Sequence, residues 1–387
     1  MERRAIPPAG DMVGTRIGIF AAVMAALLVT GAVAADLPKS SQAVLDQLKL
    51  KPDILNGLDE ELAVPADWIE KARANPMVKV TGSDDPPLYA QLIKPFQERY
   101  PWIKLQYFTG SANERVIKPL VAYQTGRSIA DVVFSMDAST TNYAKDGISA
   151  NLTDMPAYKN AMPGANPPSG LTATFRARPY CMAYNTQLLK RDELPKTWKD
   201  LPDSKVLADG RIGAVMLPHL WFMPLWGKYG EDWAVKYLDD YFKKLKPQVR
   251  REGINAVTSL VGAGELYASM PAYPERIKQI QDKGAPVAWY CPDMIPLNFS
   301  RLAIFKNSPG TWGGRIFANW LLSREGQLAQ LAVFGTPPVH KDLQSPDFHV
   351  FPDEIRGKPF ISFDDQEQTD KFLKIWNSYA LAAKPGR

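Results

Sequence analysis

Three loops in the first half of the chain carry the residue types that hold a small anion. Each places Ser, Thr, Gly or Asp just ahead of a stretch with helical spacing. They read Gly82-Ser83-Asp84-Asp85, Thr109-Gly110-Ser111-Ala112-Asn113-Glu114-Arg115 and Ser135-Met136-Asp137-Ala138-Ser139. Backbone N–H groups left free at a helix start, together with the positive end of the helix dipole, attract negative charge. Arg115 and Arg178 add fixed positive charge. The chemistry is that of binding a carboxylate, phosphate, phosphonate or carbonate. Ser, Thr and Asp before a helix also serve as ordinary caps, so the signal lies in the three loops taken together. The candidate contacts are Ser83, Asp84, Thr109, Ser111, Asn113, Arg115, Ser135, Asp137, Ser139 and Arg178.

The elements that must position these residues are strand–loop–helix units. Strands are expected at 78–81, 101–108 and 131–134, each running into one of the loops. Leu88, Leu92, Ile93, Phe96 and Tyr100 share a helical face, with Pro95 expected to kink that helix. Successive units of this kind predict a parallel sheet flanked by helices, with ligands bound beyond the carboxyl ends of the strands. Tyr180-Cys-Met-Ala-Tyr184, bounded by Pro179 and Asn185, reads as a buried strand. It is the expected crossing into a second lobe, and residues 287–292 are the expected return. In that lobe a strand at 210–217 leads into a loop at 218–227, whose His219, Trp221 and Trp226 are expected on the opposite wall. Tyr180, Asn255 and Tyr273 complete the candidate set. A closing helix is expected over 364–382, and two short helices over 41–49 and 64–73.

A chain of 387 residues has room for two domains, and its 45% hydrophobic and 22% charged residues are those of a globular protein. The net charge of +5 comes without the basic runs of a nucleic-acid binder. At the start, Arg3, Arg4 and Arg16 precede an apolar run from Ile17 to Val29, and Ala32-Val33-Ala34 has the small-x-small cleavage pattern. That run is shorter than the ~20 residues of a membrane span. An export leader over 1–34, cleaved after Ala34, is expected, leaving a soluble periplasmic protein. In an oxidising compartment Cys181 and Cys291 read either as one disulfide or as two buried thiols. Enzyme signatures are lacking: His219, His340 and His349 have no metal-ligand spacing, and there is no Gly-x-Ser-x-Gly elbow or P-loop. A secreted hydrolase with a scattered site stays as an alternative, with no cofactor expected.

Several longer strings add a resemblance. They are Val64-Pro-Ala-Asp-Trp-Ile69, Tyr184-Asn-Thr186, Leu194-Pro-Lys-Thr-Trp-Lys-Asp-Leu201, Gly210-Arg-Ile-Gly213, Gly264-Glu265 and Leu321-Leu-Ser-Arg-Glu-Gly-Gln327. Spread over about three quarters of the chain, the pattern resembles the periplasmic solute-binding proteins of the ferric-ion-binding-like group. The resemblance implies an α/β, two-lobed type II periplasmic-binding fold, each lobe a mostly parallel sheet with helices, joined by hinge strands. It implies a monomer that closes on a small-molecule solute and delivers it to the permease of an ABC importer. The expected division is a helical preamble at 35–75, a first lobe from 76–179 and 293–387, and a second from 180–292. Ferric-binding members carry two consecutive tyrosines after the Gly-Glu strand. Here Tyr273 is followed by Pro274, and no Tyr-Tyr pair occurs. An atypical metal set of Tyr273, Glu275 and His219 is the alternative to an anionic or zwitterionic organic solute.

Overall fold

The structure is a computed structural model that describes residues 37–111, 113–136, 143 and 147–382. The expected leader and its cleavage site, Asp137, Ser139 and the side chain of Ser135 lie outside the described residues. From Pro38 onward the chain forms one unit.

The two short N-terminal helices form close to the expected bounds, at Lys39–Leu48 and Ala66–Ala74, with Leu58–Leu62 between them. They are tied to the body by buried polar contacts. The Ser41 hydroxyl donates to Glu325, which also accepts from Arg99 Nε at 2.6 Å and Trp320 Nε1 at 2.8 Å. Glu61 binds Arg324 Nη1 at 2.8 Å and His340 Nε2 at 3.0 Å. The preamble is therefore packed structure rather than a linker.

The first sheet contains β1 (Met77–Gly82), β2 (Lys104–Thr109), β3 (Val132–Met136), β4 (Ala173–Pro179), β10 (Ile295–Ile304) and β11 (Phe360–Ile361). Its order is β11-β10-β3-β1-β2, with β4 also on β10. The expected strand–loop–helix units form the parallel block β3-β1-β2. As expected, Pro95 divides the following helix, which becomes Pro86–Leu92 and Lys94–Arg99. The second sheet contains β5 (Cys181–Asn185), β6 (Ile212–Val215), β7 (Gln248–Arg250), β8 (Ala268–Ala272) and β9 (Val287–Tyr290), in the order β7-β6-β8-β5-β9. Its block β7-β6-β8 is parallel, while β5 runs antiparallel to β8 and β9.

Consecutive strands carry the chain between the sheets from β4 to β5 at Tyr180 and from β9 to β10 through residues 291–294. Met182 pairs with Tyr290, which brings Cys181 beside Cys291. The two form a disulfide with their α-carbons 5.1 Å apart, so the cysteines at the crossing are bonded.

Two expected placements change. The segment after β6 is a helix, His219–Tyr229, and not a loop; Leu220 through Trp226 are all buried in it. A helix apolar on every side belongs in a core, and this one packs among Trp198, Tyr241 and Phe372. The closing helix, Gln366–Ala382, was expected with the first lobe. Its Phe372, Trp376 and Ala380 instead join the buried cluster of the second sheet. Phe372 stacks on Phe222 at 5.0 Å and Trp376 meets Phe242 at 4.9 Å. Phe372, Trp376 and Ala380 fall at i, i+4 and i+8, one face of the helix, and spacing alone does not say which sheet receives that face.

His349 stacks on Phe360 at 5.4 Å, and burial lowers its pKa to about 4. An unfolded chain holds that proton near pH 6.5. Between these values the unfolded state binds more protons, so stability is full above pH 6.5 and falls as the pH drops toward 4. His349→Gln should flatten the pH dependence of the melting temperature across that window. An unchanged slope would show that His349 does not contribute to it.

Candidate ligand-binding cleft

β1 ends in Gly82, where a Cβ would lie 2.3 Å from the Phe134 ring. Only glycine leaves room for that ring, and the chain then presents Ser83, Asp84 and Asp85 before the helix Pro86–Leu92. Asp84 is 6% exposed and sits against Arg176, itself 2% exposed. The two form a bidentate pair, Nη1 to Oδ1 at 2.8 Å and Nη2 to Oδ2 at 2.9 Å. Burial works to raise the Asp84 pKa, but Arg176 outweighs it and holds the carboxyl below its usual value. The Arg176 guanidinium also lies 4.3 Å from the Phe334 ring and bonds Gln330 Oε1 at 3.3 Å. Asp84 is thus charged but already neutralised.

The second sheet supplies the facing wall. β8 runs into Tyr273 and then the helix Pro274–Gln281, which carries Glu275, Arg276 and Gln279. Arg178, near the end of β4, reaches across so that its Nε lies 3.8 Å from Glu275 Oε1. Its guanidinium is 5.2 Å from the Tyr273 ring, which in turn lies 5.5 Å from Tyr180. Burial raises the pKa of Glu275, with Arg178 opposing the shift. Burial also pulls against the Arg178 charge, yet Glu275, Tyr180 and Tyr273 together raise its pKa. Arg276 is anchored by Nη2 to Ser259 Oγ at 3.0 Å. The Nε atoms of Arg178 and Arg276 are both buried without a hydrogen-bond partner.

Between the walls lies a cavity of about 340 Å³, lined by Ser83, Asp84, Asp85, Leu88, Arg178, Asn255, Tyr273, Glu275, Arg276, Gln279, Val333 and Phe334. That volume suits a small organic molecule. Of the residues expected from the sequence, Ser83, Asp84, Arg178, Asn255, Tyr273 and Glu275 meet here, and Tyr180 packs behind Tyr273.

Others fall elsewhere. Thr109, Ser111, Asn113 and Arg115 are not among the lining residues. Ser111 is used locally: its N–H and hydroxyl both donate to Glu114 Oε2, at 2.9 and 3.0 Å. The Ser111 hydroxyl also accepts from the Glu114 backbone N–H at 3.4 Å, which is the cap alternative realised. Arg115 accepts from the Thr81 hydroxyl through its backbone carbonyl at 2.8 Å, and its charge helps to lower the Asp84 pKa. Trp221 is 1% exposed and stacks on Trp198 at 5.5 Å. Trp226 shares that core. His219 lines a separate hollow with Met223, Asn298 and Phe363. The atypical metal set of Tyr273, Glu275 and His219 therefore does not converge.

Sequence reasoning missed Arg176, Asp85, Leu88, Arg276, Gln279, Val333 and Phe334. For Arg176 a signal existed, since a strand places residues two apart on one face and Arg178 was already a candidate. For Arg276 a signal also existed, since it follows the candidates Tyr273 and Glu275 at the start of the helix Pro274–Gln281, whereas nothing local marks Phe334, which reaches the cleft through the packing of a sequence-distant helix.

Two sheets joined by crossing strands, with a cleft walled by both, make the two-lobed fold of type II periplasmic binding proteins. Within that class, the chain belongs to the bacterial extracellular solute-binding protein family, whose model matches residues 91–353. No curated protein sequence matches the chain significantly. Among solved structures, iron-bound HitA from Pseudomonas aeruginosa is 21% identical, with 68% of this chain and 87% of that chain covered at a TM-score of 0.58. The Trichodesmium IdiA (FutA) structure, in complex with iron and citrate, is 16% identical over 78% and 99%, at 0.64. AfuA from Actinobacillus pleuropneumoniae, with fructose-6-phosphate bound, is 17% identical over 80% and 99%, at 0.58. Among the described residues no helix is long and apolar enough to cross a membrane.

Proposed function

We propose that this protein is the exported, monomeric solute-binding component of an ABC importer, closing its lobes on a small anionic or zwitterionic organic solute. The closed form would then present the solute to an inner-membrane permease. The N-terminal sequence at 1–34 supports export, with cleavage after Ala34. The hinge would lie at the two crossings, bridged by Cys181–Cys291. Closure is a rigid-body motion about such crossings, with the ligand shared between the walls. The observation that carries the reading is the pair of arginines, Arg178 on the first wall and Arg276 on the second. Each has a buried Nε without a hydrogen-bond partner and a place in the cavity lining. An oxyanion such as a carboxylate or phosphate is the ligand group that satisfies such donors best.

A second reading, ferric ion, is favoured by the proximity of the Tyr180 and Tyr273 rings beside Glu275. It is opposed by the Arg178 cation, whose Nε lies 3.8 Å from Glu275 Oε1. The iron seen in HitA and in the Trichodesmium protein belongs to those proteins, whereas AfuA was captured with a phosphorylated sugar.

Titration calorimetry tests the arginine reading. Arg178→Met and Arg276→Met should each weaken the bound solute about 10–100-fold, the effect of losing one charged hydrogen bond of roughly 1.5–3 kcal/mol. Arg115→Met should have a smaller effect than either. Unchanged affinity in both cleft variants would remove the oxyanion contact from the account.

A further inference from the structure

The charges in the cleft are more evenly divided than an anion site requires. Its lining holds Asp84, Asp85 and Glu275 against Arg178 and Arg276. Arg176 neutralises Asp84 from behind. What remains is two arginines facing two carboxylates. A plain acid entering this space would satisfy the arginines and set its negative charge beside Glu275.

Of the two remaining carboxylates, Asp85 is exposed and Glu275 is the more buried one. Its side chain is 16% exposed. It sits in the first turn of the helix Pro274–Gln281, where its carboxylate also accepts from its own backbone N–H. The first lobe closes on it from the other side. Gly335, which ends the helix Arg324–Phe334 with φ 67°, approaches so nearly that a Cβ there would lie 3.3 Å from Glu275 Cβ. The 3.8 Å to Arg178 is an ion-pair distance but too long for a hydrogen bond. Neither charge is saturated by the other, and each keeps capacity for a third group. Tyr273, its ring beside Arg178, gives that group an aromatic neighbour.

Resting on the cleft reading given above, we propose that Glu275 determines specificity: it receives the ammonium of a small zwitterionic solute whose acid group is held by Arg178 and Arg276. The cleft then selects amino acids in the broad sense, a carboxylate, sulfonate or phosphate bearing a nearby amine, over the same acid without the amine. The preference arises because a buried carboxylate that meets no cation from the ligand repels the ligand's acid group.

The test uses pairs that differ only in ammonium against hydroxyl: glycine against glycolate, taurine against isethionate, and phosphoethanolamine against glycol phosphate. Binding to the whole protein is measured by calorimetry. Wild type should prefer the amine by about tenfold or more in the pair it binds. Glu275→Gln should erase that preference while keeping or improving affinity for the hydroxyl partner, because Arg178 is then released from its carboxylate. Glu275→Asp retains the charge and should retain the preference, which guards against a folding defect in the glutamine variant. The proposal is overturned by equal or reversed preference in wild type, or by Glu275→Gln weakening both partners alike. Binding of no member of any pair would overturn the cleft reading itself, and this inference with it.

Discussion

Replacing Arg176 with methionine is expected to destabilise the protein by about 3–5 kcal/mol, the cost of stranding a buried carboxylate. Asp84 is 6% exposed and both its oxygens are bound by this one guanidinium. With Arg176 gone, Asp84 must either stay charged without a partner or take up a proton. The loss should therefore be greatest at neutral pH and shrink as the pH falls through the range where Asp84 protonates. The loop at 83–85 would also lose its anchor, and with it one wall of the cleft. Arg176→Met combined with Asp84→Leu removes both charges, and such exchanges are often neutral. The double variant should recover most of the stability in denaturant titrations. If the single variant loses less than about 1 kcal/mol, the pair does not hold the wall.

Removing the disulfide, by Cys181→Ser with Cys291→Ser, is expected to cost about 2–5 kcal/mol. The bond joins positions 110 residues apart and so restricts nearly the whole second lobe in the unfolded chain, which is where a long loop has its largest effect. Both cysteines are fully buried, so serine hydroxyls placed there add a desolvation penalty. Cys→Ala in both positions separates the two contributions. Denaturant unfolding of the oxidised and reduced wild-type protein measures the same difference without mutation. Equal midpoints in the two states would show that the bond adds nothing to the fold. The bond lies at the crossing and lines no part of the cavity, so solute affinity should change far less than stability.

Much of the architecture was legible because local rules and the final fold agree. The strands before Gly82, Thr109 and Met136 alternate or run apolar and end in turn residues, and each is a strand. Pro95 breaks its helix where a proline must. Legibility failed where a residue's type admits two roles that only packing decides. Ser111 before a helix is equally a cap and an anion contact, and here it caps. His219 and Trp221 sit in a stretch apolar on all sides, which marks burial; treating the segment as a loop put them on a cleft wall they do not reach. Phe372 and Trp376 announce a buried stripe without naming the sheet that receives it. The cleft divides in the same way. Arg178, Tyr273 and Ser83 could be found from their elements. Phe334 could not, because its helix approaches the cleft only through contacts between segments far apart in sequence.

The most direct test of the central claim is the shift in melting temperature of the protein against ferric ion, plain organic acids, zwitterions and polyamines. A ligand at ~100 times its dissociation constant adds about 2.7 kcal/mol to the folded state, enough to move the transition. A shift is expected with a small organic solute bearing an acid group, and none with ferric ion alone. A shift with ferric ion and with no organic acid or zwitterion would contradict it.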